Sequence, residues 1–172
     1  MAFIQTESDT VPWHKGEVKM HTLLHVPYQD NPTSSFLTPG AAYLAQTAPV
    51  LAIGTLDTSQ RPWTSIWGGE SGFARSLGSS VLGVKTPVGL EQDPVIEALL
   101  DGRAAGEVVK EEEGAGRPVS GLFIDLMRRK RVKFSGRMMA GTLSRVGSDA
   151  YGGEVAVGEV QLVLKVEQSL GK

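Results

Sequence analysis

The chain has 172 residues, a formal net charge of −2 and no cysteine. One domain over residues 1–172 is the natural expectation for this length. The lack of cysteine excludes disulfides, thiolate chemistry and iron–sulfur ligation. The near-neutral charge gives no general attraction to nucleic acid, and no apolar stretch approaches the ~20 residues of a membrane span. Because no secretory signal is visible either, we expect a cytoplasmic protein with no nucleic-acid or membrane partner.

The elements predicted along the chain are mostly short strands. A loose stretch over residues 1–12 precedes a short helix or irregular arm over 13–25. Caps mark two further helices: Thr38 before a helix over 39–46, and Asp93 before a helix that ends at Gly102. Apolar runs and alternation predict strands at 50–56, 61–67, 80–85, 119–126, 131–139 and 159–167. This series predicts a mainly β (α+β) fold, an antiparallel closed or split β-barrel with a few short helices.

The strand predicted at 61–67 carries an unusual mixture of side chains. A cation, two indoles and two hydroxyls lie on one short strand, namely Arg61, Trp63, Trp67, Thr64 and Ser65. Such a set favours a site for a flat, anionic aromatic ligand. The alternative is structural, because Trp63 and Trp67 are four residues apart and so share one face of the strand, and most such aromatic side chains pack in the core. The two hydroxyls are equally compatible with ordinary strand residues.

Basic residues are concentrated in one interval of the sequence. Between Asp125 and Asp149 there is no acidic residue, whereas seven of the 17 lysines and arginines fall there. Arg131 and Lys133 are two apart on a predicted strand and therefore face the same side. Lys85 and Thr86, at the end of another predicted strand, offer a further cation and hydroxyl. A charge run is usually a solvated face; the alternative is a basic seam that receives a phosphate group.

Four segments carry a family resemblance. They are HKGE at 14–17, the hairpin IGTLDTSQRPWTSIWGGESGF, the segment GLFIDLMRRKRVKFSGR and the closing VEQSLG. In order and spacing, the chain resembles the pyridoxamine 5′-phosphate oxidase-related flavoproteins. Within them it is similar to the subgroup often fused to a ferredoxin reductase-like module. The resemblance implies an FMN-binding split barrel, a homodimer with flavin at its interface, and a reductase partner or fused domain.

Two departures from this family bear on function. Relatives in the subgroup usually continue beyond VEQSLG with an Asn-Cys-Pro-Lys-Tyr-like segment, whereas this chain ends at Gly171 and Lys172. We therefore expect either a truncated chain or a lineage without the tail. The C-terminal substrate-binding segment of true pyridoxamine phosphate oxidases is also absent, so no role in vitamin B6 synthesis is predicted.

Together, the residues and the resemblance predict FMN as the cofactor and no metal site. The residues expected to bind FMN are Arg61, Trp63, Thr64, Ser65, Trp67, Lys85, Thr86, Arg131 and Lys133. The expected function is that of an oxidoreductase that transfers hydride or electrons through FMN, with no catalytic side chain assigned. The alternative is a binding module without turnover, which would carry flavin, deazaflavin or haem.

Overall fold

The computed structural model describes residues 10–78, 80–89, 93–101, 106–112, 115–148 and 156–171. The helices in these ranges are α1 (Lys15–Leu23), α2 (Pro39–Thr47) and α3 (Pro94–Leu100). The strands are β1 (Val50–Leu56), β2 (Pro62–Gly68), β3 (Ala74–Gly78), β4 (Val81–Gly89), β5 (Val108–Lys110), β6 (Pro118–Asp125), β7 (Lys130–Ser148) and β8 (Ala156–Gly171).

All described strands belong to one antiparallel sheet. Its order is β2-β1-β6-β7-β8-β4-β3, and β5 pairs with β7 outside this path. Every strand pair is antiparallel. The predicted fold class, a mainly antiparallel β structure with a few short helices, is confirmed.

The sheet curls so that β2 and β4 approach each other without pairing. Thr86 on β4 is buried, and its hydroxyl donates to the carbonyl of Gly68 at the end of β2 over 2.5 Å. These two strands are not neighbours in the sheet order. The barrel is therefore closed at this point by a side chain, and its inner face encloses the core. Fully buried members of that core include Leu51, Ile53, Leu82, Phe123, Met138 and Leu164.

Burial alternates along the strands, as a pleated sheet with one packed face requires. In β1 the pattern alternates strictly between buried and half-buried residues, and β4 alternates in the same way. These two strands therefore divide into inner residues that build the core and outer residues that are free to form a surface. The candidate site lies on the outer face.

The sequence predicted most of these elements and missed two. The strand at 50–56 and the caps Thr38 and Asp93 are confirmed. The predicted C-cap Gly102 lies outside the described residues, and the helix ends at Asp101 in the left-handed conformation, φ 59°. Strands β3 and β5 were not predicted, because β3 is an edge strand without alternation and β5 has three residues.

Strand β7 extends to residue 148, well beyond the predicted end at 139. Its pairing with β8 shifts register between Ser135 and Gly136 and again between Met138 and Ala140. Such bulges interrupt the two-residue period on which a strand prediction depends. The bulges therefore explain why the sequence pattern indicated an earlier end.

The HKGE segment forms the start of α1. The His14 side chain accepts from the backbone N–H of Gly16, and the Glu17 carboxylate accepts from the backbone N–H of His14. These contacts form a capping box, which satisfies free N–H groups at the helix start.

Residues 1–9 of the stretch predicted to be loose lie outside the described residues. Val11 donates its backbone N–H to the carbonyl of Thr33 over 2.8 Å, which ties residue 11 to the body. No helix in the described ranges has the length and apolar character needed to cross a membrane.

Candidate functional site

A groove of about 450 Å³ runs across the outer face of β2, β1, β6, β7 and β8. Two rows of directly paired residues form its surface. The first row is Thr64, Gly54, Ser120, Ser135 and Gln168. The second row is Ala52, Leu122, Lys133 and Leu170, and Ile66 on β2 continues this row beyond the groove. Residues from five neighbouring strands are thereby brought into one continuous surface.

Small residues keep the middle of the groove flat. A Cβ atom at Gly54 would lie 3.2 Å from the carbonyl oxygen of Trp63 and 3.3 Å from Oγ1 of Thr64. It would also lie 3.5 Å from Oγ of Ser120. Ala52, two residues before Gly54, contributes only a methyl group to the same face. The floor thus leaves room for a planar group that larger side chains would displace.

Polar side chains without protein partners surround this floor. Within the described ranges, no side-chain hydrogen bond is formed by Thr64, Ser120, Ser135 or Gln168. The ammonium group of Lys133 likewise has no ion pair among the described residues. These groups remain available as donors to a ligand in the groove.

The two ends of the groove differ in charge. Lys133 lies at one end. Arg131, two residues earlier on β7, is on the same face of the sheet and pairs with Ile124 on β6. At the other end the groove continues into a space of about 340 Å³. There the Arg137 guanidinium lies 3.3 Å from the Glu167 carboxylate and donates to the Gly116 carbonyl over 3.0 Å. Because Arg137 is already paired, an anionic group is favoured at the Lys133 end.

Of the nine residues predicted to bind FMN, the structure brings Thr64 and Lys133 into this groove, with Arg131 beside it. Ser65 and Trp67 lie on the inner face of β2 instead. The Asp93 carboxylate accepts from the Ser65 hydroxyl over 2.6 Å and from the Trp67 indole N–H over 2.8 Å. A carboxylate at this point disfavours a phosphate group, so these two residues serve the packing of α3 against β2.

Arg61 lies in the turn between β1 and β2, and Trp63 is the second residue of β2; both contact Asp57 in that turn. The Asp57 carboxylate accepts from the Trp63 indole over 3.0 Å, from the Arg61 backbone over 2.9 Å and from the Arg61 guanidinium over 2.7 Å. The hydrogen bond from Trp63, followed by those from Arg61, holds the pKa of Asp57 well below its usual range. Both predicted side chains therefore donate to the Asp57 carboxylate, and the structure does not bring them to the floor of the groove.

Lys85 and Thr86 lie on β4, which is the next strand after β8 in the sheet and is not part of the groove. The Lys85 ammonium is 3.2 Å from the Glu159 carboxylate, beside a separate cavity of about 410 Å³. A hydrogen bond from Gln161, together with Lys85, lowers the pKa of Glu159. Thr86 points inwards and closes the barrel, as described above. These two residues are thus separated from Thr64 and Lys133.

Several groove residues were not predicted from the sequence: Ala52, Gly54, Ser120, Ser135 and Gln168. Ala52 and Gly54 alternate with the buried residues of β1, and Ser120 follows the buried Val119 on β6. Alternation alone identifies them as outward-facing. Their alignment in one row depends on strand order and register, which local sequence does not reveal.

No family model matches the chain, and no curated protein matches it. Among solved structures, a HupZ variant from Group A Streptococcus is similar at 12% identity over 79% of this chain and 99% of that chain, with a TM-score of 0.43. A candidate pyridoxamine 5′-phosphate oxidase from Lactobacillus delbrueckii is 16% identical over 80% and 95%, with a TM-score of 0.43. An F420 reductase is 8% identical over 73% and 92%, with a TM-score of 0.41. Proteins of the pyridoxamine 5′-phosphate oxidase-like split-barrel fold are thus among the structures to which this chain is similar.

Proposed function

We propose that this chain binds FMN in the groove on the outer face of β2, β1, β6, β7 and β8, and that it is a flavin-dependent oxidoreductase. The observation that supports this most is the combination of a flat floor at Ala52 and Gly54 with unpartnered donors around it. A volume of about 450 Å³ lies in the range of small-molecule sites, about 300–1,000 Å³.

The residues of the groove fit the chemical parts of FMN. Lys133 and Arg131 would hold the phosphate group, since charge-assisted contacts are the strongest of their kind. The hydroxyls of Thr64, Ser120 and Ser135 would donate to phosphate or ring oxygens. The bound flavin would supply hydride or electron transfer. The chain itself would contribute binding, orientation of the ring and shielding from water.

The groove is open to solvent along its length, and we include a homodimer in this proposal. Ile66, in the same row as Ala52 and Leu122, is 77% exposed. An apolar side chain of this size beside the proposed flavin site would be covered by a second copy of the chain. Light scattering coupled to size exclusion tests this directly: a dimeric mass is expected, and a monomeric mass with FMN bound would contradict it.

Titration of FMN into the purified protein tests the cofactor proposal, with flavin fluorescence and absorbance as readouts. Arg131→Ala combined with Lys133→Ala is expected to weaken FMN binding about tenfold or more. The loss is limited because both cations are exposed, and solvent weakens their attraction to phosphate. Arg75→Ala with Lys110→Ala removes two exposed cations elsewhere on the sheet and is the matched control.

Three outcomes would overturn the proposal. Unchanged FMN affinity in the folded double variant at 131 and 133 would remove the phosphate assignment. Failure of the parent protein to take up FMN would refute the assignment of FMN as its cofactor. A Soret band in the purified protein would favour the haem-binding alternative instead.

A further inference from the structure

The turn between β6 and β7 presents two apolar side chains to solvent. Leu126 is 77% exposed and Met127 is 93% exposed, and they form the first half of a four-residue turn that Arg128 and Arg129 complete. No other large apolar side chain among the described residues is more exposed than Met127. Single exposed apolar residues need no explanation. An adjacent pair at a protruding apex is a different feature, because together they form a continuous apolar tip.

The shape of this tip is fixed by a buried carboxylate. Asp125 is 6% exposed and accepts from the backbone N–H of Arg128 over 2.9 Å. The Arg128 guanidinium lies 3.4 Å from the same carboxylate. Arg129 adopts the left-handed conformation with φ 56°, which completes the turn. The apex is therefore preformed, so binding through it would require little ordering of the chain.

Cations occupy the second half of the turn and the start of β7. Arg129, Lys130 and Arg131 are exposed and form no ion pair within the part of the chain that the structure describes. Lys130 and Arg131 begin β7, so they stand within about 7 Å of the turn along the strand. From Leu126 to Arg145 the sequence has no acidic residue to offset them. The turn thus has an apolar half, Leu126 and Met127, and a cationic half that continues into β7.

We propose that the β6–β7 turn docks the protein on the surface of an anionic lipid bilayer. Leu126 and Met127 would enter the boundary between headgroups and acyl chains, which interfacial anchors penetrate by about 5–10 Å. Arg129 and Lys130 would then lie at the depth of the lipid phosphates. The sequence led us to expect no membrane partner; the exposed tip revises that expectation for a peripheral contact.

The arrangement favours lipid over nucleic acid. A nucleic-acid site places cations foremost and commonly includes aromatic side chains for stacking. Here two exposed apolar side chains, Leu126 and Met127, share the turn with the cations, and the turn has no aromatic residue. An exposed apolar pair gains nothing from contact with a phosphate backbone, whereas it is stabilised by insertion between lipid headgroups.

Vesicle co-sedimentation of the full chain tests this proposal. The vesicles contain either phosphatidylcholine alone or equal parts of phosphatidylcholine and phosphatidylglycerol. Binding is expected to the mixed vesicles only. Leu126→Ser with Met127→Ser should weaken it about tenfold or more. Arg129→Asn with Lys130→Gln should weaken it about fivefold for each cation removed. Arg75→Gln with Lys110→Gln, an equal loss of charge elsewhere, should leave binding unchanged.

Several results would overturn the proposal. One is a parent protein that stays in the supernatant with both kinds of vesicle, and another is a variant at 126 and 127 that binds as the parent does. Equal losses in the 129–130 variant and in the control at 75 and 110 would indicate general charge attraction only. Retention on duplex DNA without vesicle binding would assign the tip to nucleic acid. Each of these assays is independent of FMN, so their failure leaves the cofactor proposal untouched.

Discussion

Removal of the Asp93 carboxylate should destabilise the fold more than the loss of an ordinary helix cap. One oxygen accepts from the Ser65 hydroxyl over 2.6 Å and from the backbone N–H groups of Val95 and Ile96 over 2.9 and 3.2 Å. The other accepts from the Trp67 indole over 2.8 Å. This single side chain therefore caps α3 and fixes the helix to the inner face of β2.

The expected magnitude follows from these contacts. Loss of the cap costs about 1 kcal/mol. Trp67 is 4% exposed, so its N–H would be left buried without a partner, at a cost of about 1–3 kcal/mol. Asp93→Ala should thus lower the free energy of unfolding by roughly 2–4 kcal/mol. Asp93→Asn keeps one acceptor oxygen and should lower the free energy of unfolding by about half as much as Asp93→Ala does.

Urea unfolding followed by circular dichroism and by tryptophan fluorescence measures these values. The dependence of the unfolding free energy on urea concentration should stay unchanged, while the urea concentration at the midpoint of unfolding falls. Glu97→Gln, an exposed acid in the first turn of the same helix, is the matched control and should cost at most about 1 kcal/mol. A loss for Asp93→Ala no larger than that of Glu97→Gln would refute the reasoning.

Three further predictions concern the turn, the bulge and the groove. Asp57 has a lowered pKa in the fold, so its stabilising effect is complete above about pH 4 and is lost as the pH falls through the lowered value. The difference in urea midpoint between the parent and Asp57→Asn should therefore narrow on acidification; a widening gap would contradict this. Gly136→Ala should destabilise by about 1–3 kcal/mol or more, because a Cβ there would lie 1.9 Å from the Lys165 carbonyl oxygen. Thermal unfolding checks it against Gly89→Ala, where a Cβ meets nothing within 4 Å, and equal melting temperatures would count against it. Thr64→Val should weaken FMN binding about twofold to tenfold through one lost hydrogen bond, with little change in the stability of the apo form. Superimposable flavin titrations of variant and parent would show that Thr64 does not contribute to FMN binding.

Local signals in the sequence were sufficient for most elements of the fold. The caps Thr38 and Asp93 each have a side chain whose preferred position is the start of a helix, and both were correctly predicted. Strand β1 has an uninterrupted apolar run bounded by turn residues and was also correctly predicted. Bulges hid the full length of β7, since its pairing shifts at 135/136 and 138/140.

The candidate site was harder to predict, because it depends on which face of each strand points outwards. Thr64 and Ser65 are adjacent in sequence, yet Thr64 faces the groove and Ser65 donates to Asp93 on the inner face. Trp67 lies on the same inner face, so its indole belongs to the core network. A one-residue difference on a strand reverses the face. Composition alone therefore grouped residues that the fold separates.

The groove residues absent from the sequence prediction come from strands distant along the chain. Gly54, Ser120 and Gln168 stand in one row only because β1 pairs with β6, β6 with β7, and β7 with β8. None of these residues has a chemical signature of its own. Strand order and register bring them together, and neither follows from a single local pattern.

The measurement that tests the central claim most directly is an FMN titration of the parent protein, Gly54→Val and Gly83→Val. Gly54 forms the floor of the proposed site, whereas Gly83 lines the separate cavity beside Lys85. Circular dichroism confirms the fold of each variant, and Gly54→Ala provides a smaller step if the valine variant unfolds. We predict a single FMN per chain for the parent, loss of FMN on substitution at Gly54, and retention on substitution at Gly83. A parent protein that takes up no FMN, or a folded Gly54 variant that titrates as the parent does, would contradict the assignment of this groove.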